Sequence, residues 1–239
     1  MMAPMLRFLA AIAALVALHV AGPASAAERR FAIQDFDRII IEGPFAVRLT
    51  TGRSTSASAT GSSDALNAVS VEVQGMTLRI RRDSNAWTST PNRPVEPAVI
   101  TLTTRNLRSA RVVGSGQLDI TGLSALRADL VVQGTGRLRA TGIDADNLSV
   151  GLAGSGSIEL AGTAEAFTAD IQGSGSLLAP AFSAETATVS ANTTGDIALA
   201  ARRAATVNAL GLGRVEIGGG PACTVRGAGA GEVRCGSGR

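Results

Sequence analysis

The 239 residues carry 45% hydrophobic and 17% charged residues, too apolar a balance for a disordered chain, while aromatic residues at 3% exclude a large aromatic core. All 22 basic residues are arginine against 19 acidic ones, so the net charge of +3 describes a near-balanced surface and gives no sign of a nucleic-acid partner. The core must therefore be built from Val, Ile, Leu and Ala.

The first segment has Arg7, an apolar run from Phe8 to Val20 and a small-residue site at Ala24-Ser25-Ala26. This is the pattern of a secretory signal peptide over residues 1–26, and the run is shorter than the roughly 20 residues of a membrane span. Neither cysteine lies near the cleavage site, so a lipid anchor is not expected there. Past residue 26 no apolar run is long enough to cross a membrane. The only histidine, His19, falls within the leader. The mature chain therefore lacks the commonest general base and the histidine-based triads, and no catalytic residue, metal ligand or cofactor site is assigned.

From Phe31 to Leu49 apolar residues alternate: Ile39 and Ile41, then Gly43-Pro44, then Phe45, Val47 and Leu49. Two strands around a turn are expected. Thr51 to Ser63 is small and polar. Val69, Val71 and Val73, followed by Leu78 and Ile80, predict an antiparallel hairpin turning near Gly75. Asp83 to Pro97, with three prolines and the lone Trp87, reads as an exposed loop. Ala98, Ile100 and Leu102 predict a strand leading into a regular array.

That array is a repeat. Gly114-Ser115-Gly116 recurs as Gly134-Thr135-Gly136, Gly154-Ser155-Gly156, Gly173-Ser174-Gly175, Thr193-Thr194-Gly195, Gly211-Leu212-Gly213 and Gly229-Ala230-Gly231, at spacings of 20, 20, 19, 20, 18 and 18 residues. Two and four positions after the second Gly stand apolar rows that start at Leu118 and Ile120; six and four positions before it stand rows that start at Ala110 and Val112. Each unit is then two short strands joined at a glycine corner, and a looser third side carries Leu126, Leu148, Phe167 and Cys223. One unit cannot bury its own apolar face, whereas stacked copies about 4.8 Å apart can. The expected fold is all-β: a three-sided parallel β-helix of about seven coils over residues 105–239, of the usual right hand, preceded by an N-terminal β segment with its hairpin over 27–104. The stretch Phe36 to Leu49 matches Leu107 to Ile120 at every apolar position, making it an outlying copy of the repeat.

Outward rows alternate in sign, as Asp119, Arg139 and Glu159 and as Asp196, Arg214 and Glu232. They read as cross-strand charge pairs or as a polar binding face. Asp144, Asp146 and Asn147 share a predicted turn, explained by backbone capping or by a held cation. Cys223 and Cys235, at inward positions of the last coil, are expected to form a structural disulfide in an oxidising compartment, the other reading being two free core thiols. Trp87 either offers a face on which a sugar or peptide stacks or covers the N-terminal end of the array. The Gly-x-Gly corners are not phosphate loops, because strands and not helices follow them.

The leader, the segment Phe36-Asp37-Arg38-Ile39-Ile40-Ile41-Glu42-Gly43-Pro44-Phe45-Ala46-Val47-Arg48-Leu49 and the Gly-Ser-Gly strand pairs together resemble the bacterial family named putative auto-transporter adhesin, head GIN domain. Members often carry Pro where Asn106 precedes Leu107 here. The resemblance implies a β-helical protein at or beyond the cell envelope. The expected role is a secreted or periplasmic, non-catalytic binding or envelope-associated scaffold protein with a cell-envelope glycan or surface protein as partner; the competing class is a polysaccharide-active β-helix enzyme, which would need clustered carboxylates.

Overall fold

A computed structural model describes residues 27–83, 97–227 and 231–236. The described residues open with β1 (Ala27–Phe31), β2 (Arg38–Glu42), β3 (Ala46–Thr50), β4 (Ser56–Gly61), a single helical turn α1 (Ser63–Asn67), β5 (Val69–Gln74), β6 (Thr77–Arg82) and β7 (Val99–Thr103). The repeats come next as β8 (Ser109–Gly114), β9 (Gln117–Thr121), β10 (Ser124–Gly134), β11 (Arg137–Gly154), β12 (Ser157–Gly173), β13 (Ser176–Thr193), β14 (Ile197–Ala209), β15 (Val215–Gly218), β16 (Ala222–Arg226) and β17 (Val233–Cys235). Together they form a β-solenoid of about six turns.

Each repeat lies on the next in parallel register with glycine above glycine: Gly114 pairs with Gly134, Gly134 with Gly154, and Gly154 with Gly173. As far as β15 the rows expected to face inward do so. Ala110, Leu130, Val150, Ala169, Val189 and Val207 are buried in one wall, and Leu118, Leu138, Ile158, Leu177, Ile197 and Val215 in the next. Full burial of one such aliphatic side chain contributes about 1.5–3 kcal/mol, and the stack repeats that gain coil after coil.

The outlying copy is a coil of the same stack. Ile39 and Ile41 of β2 pair with Ala110 and Val112, and Val47 and Leu49 of β3 pair with Leu118 and Ile120. The far side of that coil is covered by β6 and β7, with Leu78 on Ile39, Ile80 on Ile41, Ile100 on Val47 and Leu102 on Leu49. The chain thus lays down its second coil first, runs outward to build the end coil, and returns past both to start β8. The strand expected at Ala98–Leu102 is β7, which leads into the array along the chain but does not lie against it, since β3 separates β7 from β9. An alternating pattern records which face of a strand is buried and carries no information about which neighbour lies alongside. The return is pinned by the buried Thr104, whose hydroxyl donates to the Phe36 carbonyl at 2.6 Å.

The end coil is closed by antiparallel pairing. β5 and β6 form the expected hairpin, Gln74 opposite Thr77, while β4 pairs with β7 and β1 with β4. The small polar stretch from Thr51 therefore holds a strand, and Ser62 caps α1 by accepting from the Ala65 amide. β1 sits at the edge as a charged, exposed strand with Glu28, Arg29 and Arg30, a composition that resists further strand addition.

Three inward assignments are corrected. Leu126 is 76% exposed, and Ala128 takes the inward place of its coil, in register with Leu148, Phe167, Ala187 and Ala205. The Phe167 and Phe182 rings fill this wide part of the core, centroids 5.1 Å apart and planes tilted by 56°. Cys223 and Val225 hold the inward register of β16 but are exposed, because no further coil lies over them among the described residues. A disulfide joins Cys223 to Cys235, their Cα atoms 6.3 Å apart, and ties β16 to β17 at this open end.

Candidate functional site

The glycine corners build one continuous surface feature. The first glycine of a corner takes a positive φ, +111° at Gly134, which turns the chain and sends the next amide along the solenoid axis. Thr135 N then donates to Gly114 O at 3.0 Å, Ser155 N to Gly134 O at 3.0 Å and Ser174 N to Gly154 O at 2.9 Å. The second glycine lets consecutive corners approach: a Cβ on Gly136 would lie 2.7 Å from Gly116 O and 2.8 Å from Val112 Cγ1. Ser115, Thr135, Ser155, Ser174 and Thr194 stand exposed in a row.

Beside this row run Gln117, Arg137 and Ser157, in register at the start of the following strands. Ser115, Gln117, Thr135, Arg137, Ser155, Gly156 and Ser157 line a shallow open groove of about 200 Å³ across three corners. Arg137 Nε donates to Ser157 Oγ at 3.4 Å, holding the guanidinium along the groove. The hydroxyl row ends at Pro44 in the coil below, whose amide hydrogen bonds still match, with Gly43 N to Val113 O at 3.1 Å and Gln117 N to Phe45 O at 2.8 Å. At the other end Thr193 replaces the first glycine; its buried hydroxyl donates to Gly175 O and accepts from Gly195 N, each at 2.9 Å. Beyond Thr194, Leu212 takes the middle position and the polar row stops.

The other sequence candidates fall elsewhere. Arg139 pairs with Glu159 at 3.7 Å and Arg214 with Glu232 at 3.4 Å, as cross-strand pairing requires. Hydrogen bonding from Arg234, at 2.8 Å, and then its charge and that of Arg214 hold the Glu232 carboxyl below its usual value of 4.5. Asp119 stands in register between Arg48 and Arg139. The turn expected at Asp144, Asp146 and Asn147 is not formed: all three lie within β11, extended because the neighbouring coils offer backbone partners on both sides. By the pairs on either side of each, Asp146 aligns with Glu165 and Glu165 with Glu185, an acidic corner closed by Arg202, whose Nη1 lies 3.3 Å from Glu185 Oε1. Among the described residues no group of three or more His, Cys, Asp or Glu is placed to hold a metal ion. Trp87 lies outside the described residues. Sequence reasoning misses the groove, because each middle residue looks like a turn filler; the signal is their column, hydroxyl-bearing at five successive corners before Leu212 interrupts it.

Among the described residues no helix is long and apolar enough to cross a membrane. No curated protein matches the chain. A crystal structure described as a putative adhesin from Bacteroides fragilis superposes with a TM-score of 0.79 at 22% identity, over 88% of this chain and 97% of that one. A protein described as a putative lipid binding protein from Parabacteroides distasonis gives 0.66 at 23% identity, over 89% and 97%, and a putative adhesin from the same species 0.67 at 18%, over 87% and 96%. At these identities the likeness is one of fold. The family model described as putative auto-transporter adhesin, head GIN domain, matches residues 35–221, from the start of the first-laid coil to the last turns of the solenoid, and the chain belongs to that family.

Proposed function

We propose that the protein is an exported, non-catalytic binding protein of the cell envelope, adhesin-like in role, and that it holds an extended glycan along the groove over the glycine corners. The observation that carries this reading is the exposed row of Ser115, Thr135 and Ser155, flanked by Gln117, Arg137 and Ser157, repeated at the coil spacing of about 4.8 Å. A polymer of polar units lying along the solenoid axis meets similar hydrogen-bonding groups at each step, whereas a compact ligand would use one. The family name and the description of its structural relatives as adhesins support a binding role. One relative is described as lipid binding. The lining here offers no apolar side chain to an acyl tail, and no carboxylate for acid/base work on a glycosidic bond. Export rests on the leader pattern of residues 1–26.

The test is retention of the protein, from Ala27 onward, on isolated peptidoglycan and a panel of bacterial polysaccharides, beside a Thr135→Val/Ser155→Val variant and a Trp87→Ala variant. Retention weakened by the groove double variant supports the proposal. Unchanged retention in that variant with loss in Trp87→Ala moves the contact to the loop and refutes the groove. Shortening of the bound polymer refutes the non-catalytic reading.

A further inference from the structure

Resting on the glycan reading above, we infer that the groove selects an acidic polysaccharide, a chain bearing carboxylates, with Arg137 as the residue that reads the charge. Every polar side chain of the lining can donate a hydrogen bond: the hydroxyls of Ser115, Thr135, Ser155 and Ser157, the amide of Gln117 and the guanidinium of Arg137. None of them is an acceptor alone.

A neutral sugar is met by the hydroxyls and the Gln117 carbonyl, which accept as well as donate, but it has no use for the Arg137 charge, and the lining supplies no aromatic ring to lie beneath its C–H groups. A carboxylate asks for donors and positive charge, which is what stands there. Arg137 is also not consumed by the nearby acids. Glu159 is engaged by Arg139 at 3.7 Å, and Asp119 lies in register with Arg139 and Arg48. In Arg137's own row the next positions are Ser157 and Ser176, and the first carboxylate is Asp196, three coils or about 14 Å away. The guanidinium's hydrogen-bond partner is the neutral Ser157 hydroxyl, leaving its fork for a planar carboxylate. A bilayer surface also carries anionic groups, but it is held by inserted apolar side chains or by clusters of basic ones, and the groove lining has no apolar side chain and a single arginine.

The experiment measures binding of the chain from Ala27 onward to polygalacturonate and to the same polymer with its carboxylates reduced to alcohols, at low salt and at about 0.5 M salt. Wild type should prefer the acidic polymer by about tenfold or more, the value of one charge-assisted hydrogen-bonded pair, and high salt should diminish the preference. Arg137→Gln should erase it, and Arg139→Gln, on the neighbouring charge ladder, should keep it. Arg137 is exposed, so unchanged melting and circular dichroism of the variant exclude a folding defect. Equal binding of the two polymers, or a preference that survives Arg137→Gln, overturns the inference while leaving glycan binding in place. Failure to bind either polymer or any member of the envelope panel overturns both. Tighter binding to phosphatidylglycerol vesicles than to polygalacturonate assigns the groove to a membrane and overturns the inference.

Discussion

Substituting Gly136 by alanine isolates the stacking of corners from every other property of the repeat. Gly136 is buried and does not take the left-handed backbone conformation, so the substitution adds a methyl group without straining φ. The new Cβ would stand 2.7 Å from Gly116 O and 2.8 Å from Val112 Cγ1, with Gly114 O at 3.2 Å. Two of these are backbone oxygens fixed by hydrogen bonds to Arg137 N and Thr135 N, so relief requires the coils to separate. Such overpacking costs about 2–3 kcal/mol. Alanine recovers about 0.5–1 kcal/mol by restricting the unfolded chain, leaving a net loss of about 2 kcal/mol. For a chain of this size the melting temperature should fall by about 4–8 °C. Gly151→Ala is the internal control: it lies one coil on, facing outward, and its Cβ would meet only Val131 methyl groups at 3.6 and 3.8 Å. That variant should melt within about 2 °C of wild type or slightly above it. Calorimetry on the pair decides the matter. Equal stability of the two variants would refute the idea that close approach, and not turn conformation alone, demands the second glycine.

Thr193→Val removes a buried hydroxyl that bridges Gly175 O and Gly195 N, and should destabilise the protein by about 1–3 kcal/mol in urea unfolding, the loss being too large for the methyl swap alone. Reducing the Cys223–Cys235 disulfide, which closes a separation of 12 residues, should remove about 3 kcal/mol of constraint and speed amide exchange in β15, β16 and β17 while β8 to β11 keep their protection. Glu232 has a folded-state carboxyl depressed below 4.5, so its contribution is present above that value and is lost as pH falls through the lower folded one. Glu232→Gln should therefore weaken the C-terminal coil at neutral pH and low salt and match wild type once the pH lies below the lowered folded value and the carboxyl is protonated, as followed by urea unfolding; a deficit of equal size in neutral and acid solution would rule out the ion-pair origin.

Much of the fold is legible because period and chemistry coincide. Glycine recurring at each corner, with an apolar residue at regular offsets on either side, defines both the coil length and its two regular walls, and Ile39 to Leu49 declares itself a coil by the same pattern. The third wall is less legible. Corners there vary in length, so Leu126 and Ala128 compete for one inward place and only packing against Leu148 decides. The order of the coils is not written locally at all: Leu78, Ile80, Ile100 and Leu102 have the right alternation for a coil, but the crossing that places them beyond β2 and β3 depends on long-range pairing. Long-range alignment also creates the acidic corner, since Asp146, Glu165 and Glu185 stand about one coil apart in sequence and side by side in space. The same holds for the groove, whose residues are ordinary one turn at a time and form a surface only when stacked.

Whether the stacked corners are the binding surface can be read residue by residue, by titrating 15N-labelled protein with the polysaccharide it retains and following amide chemical shifts. Binding along the groove should concentrate the changes at 115–117, 135–137 and 155–157, fading toward Leu212, with the charge-ladder strand around Arg214 unaffected. Shifts concentrated instead at the open C-terminal edge around Val225, or in the 84–96 segment around Trp87, would contradict it.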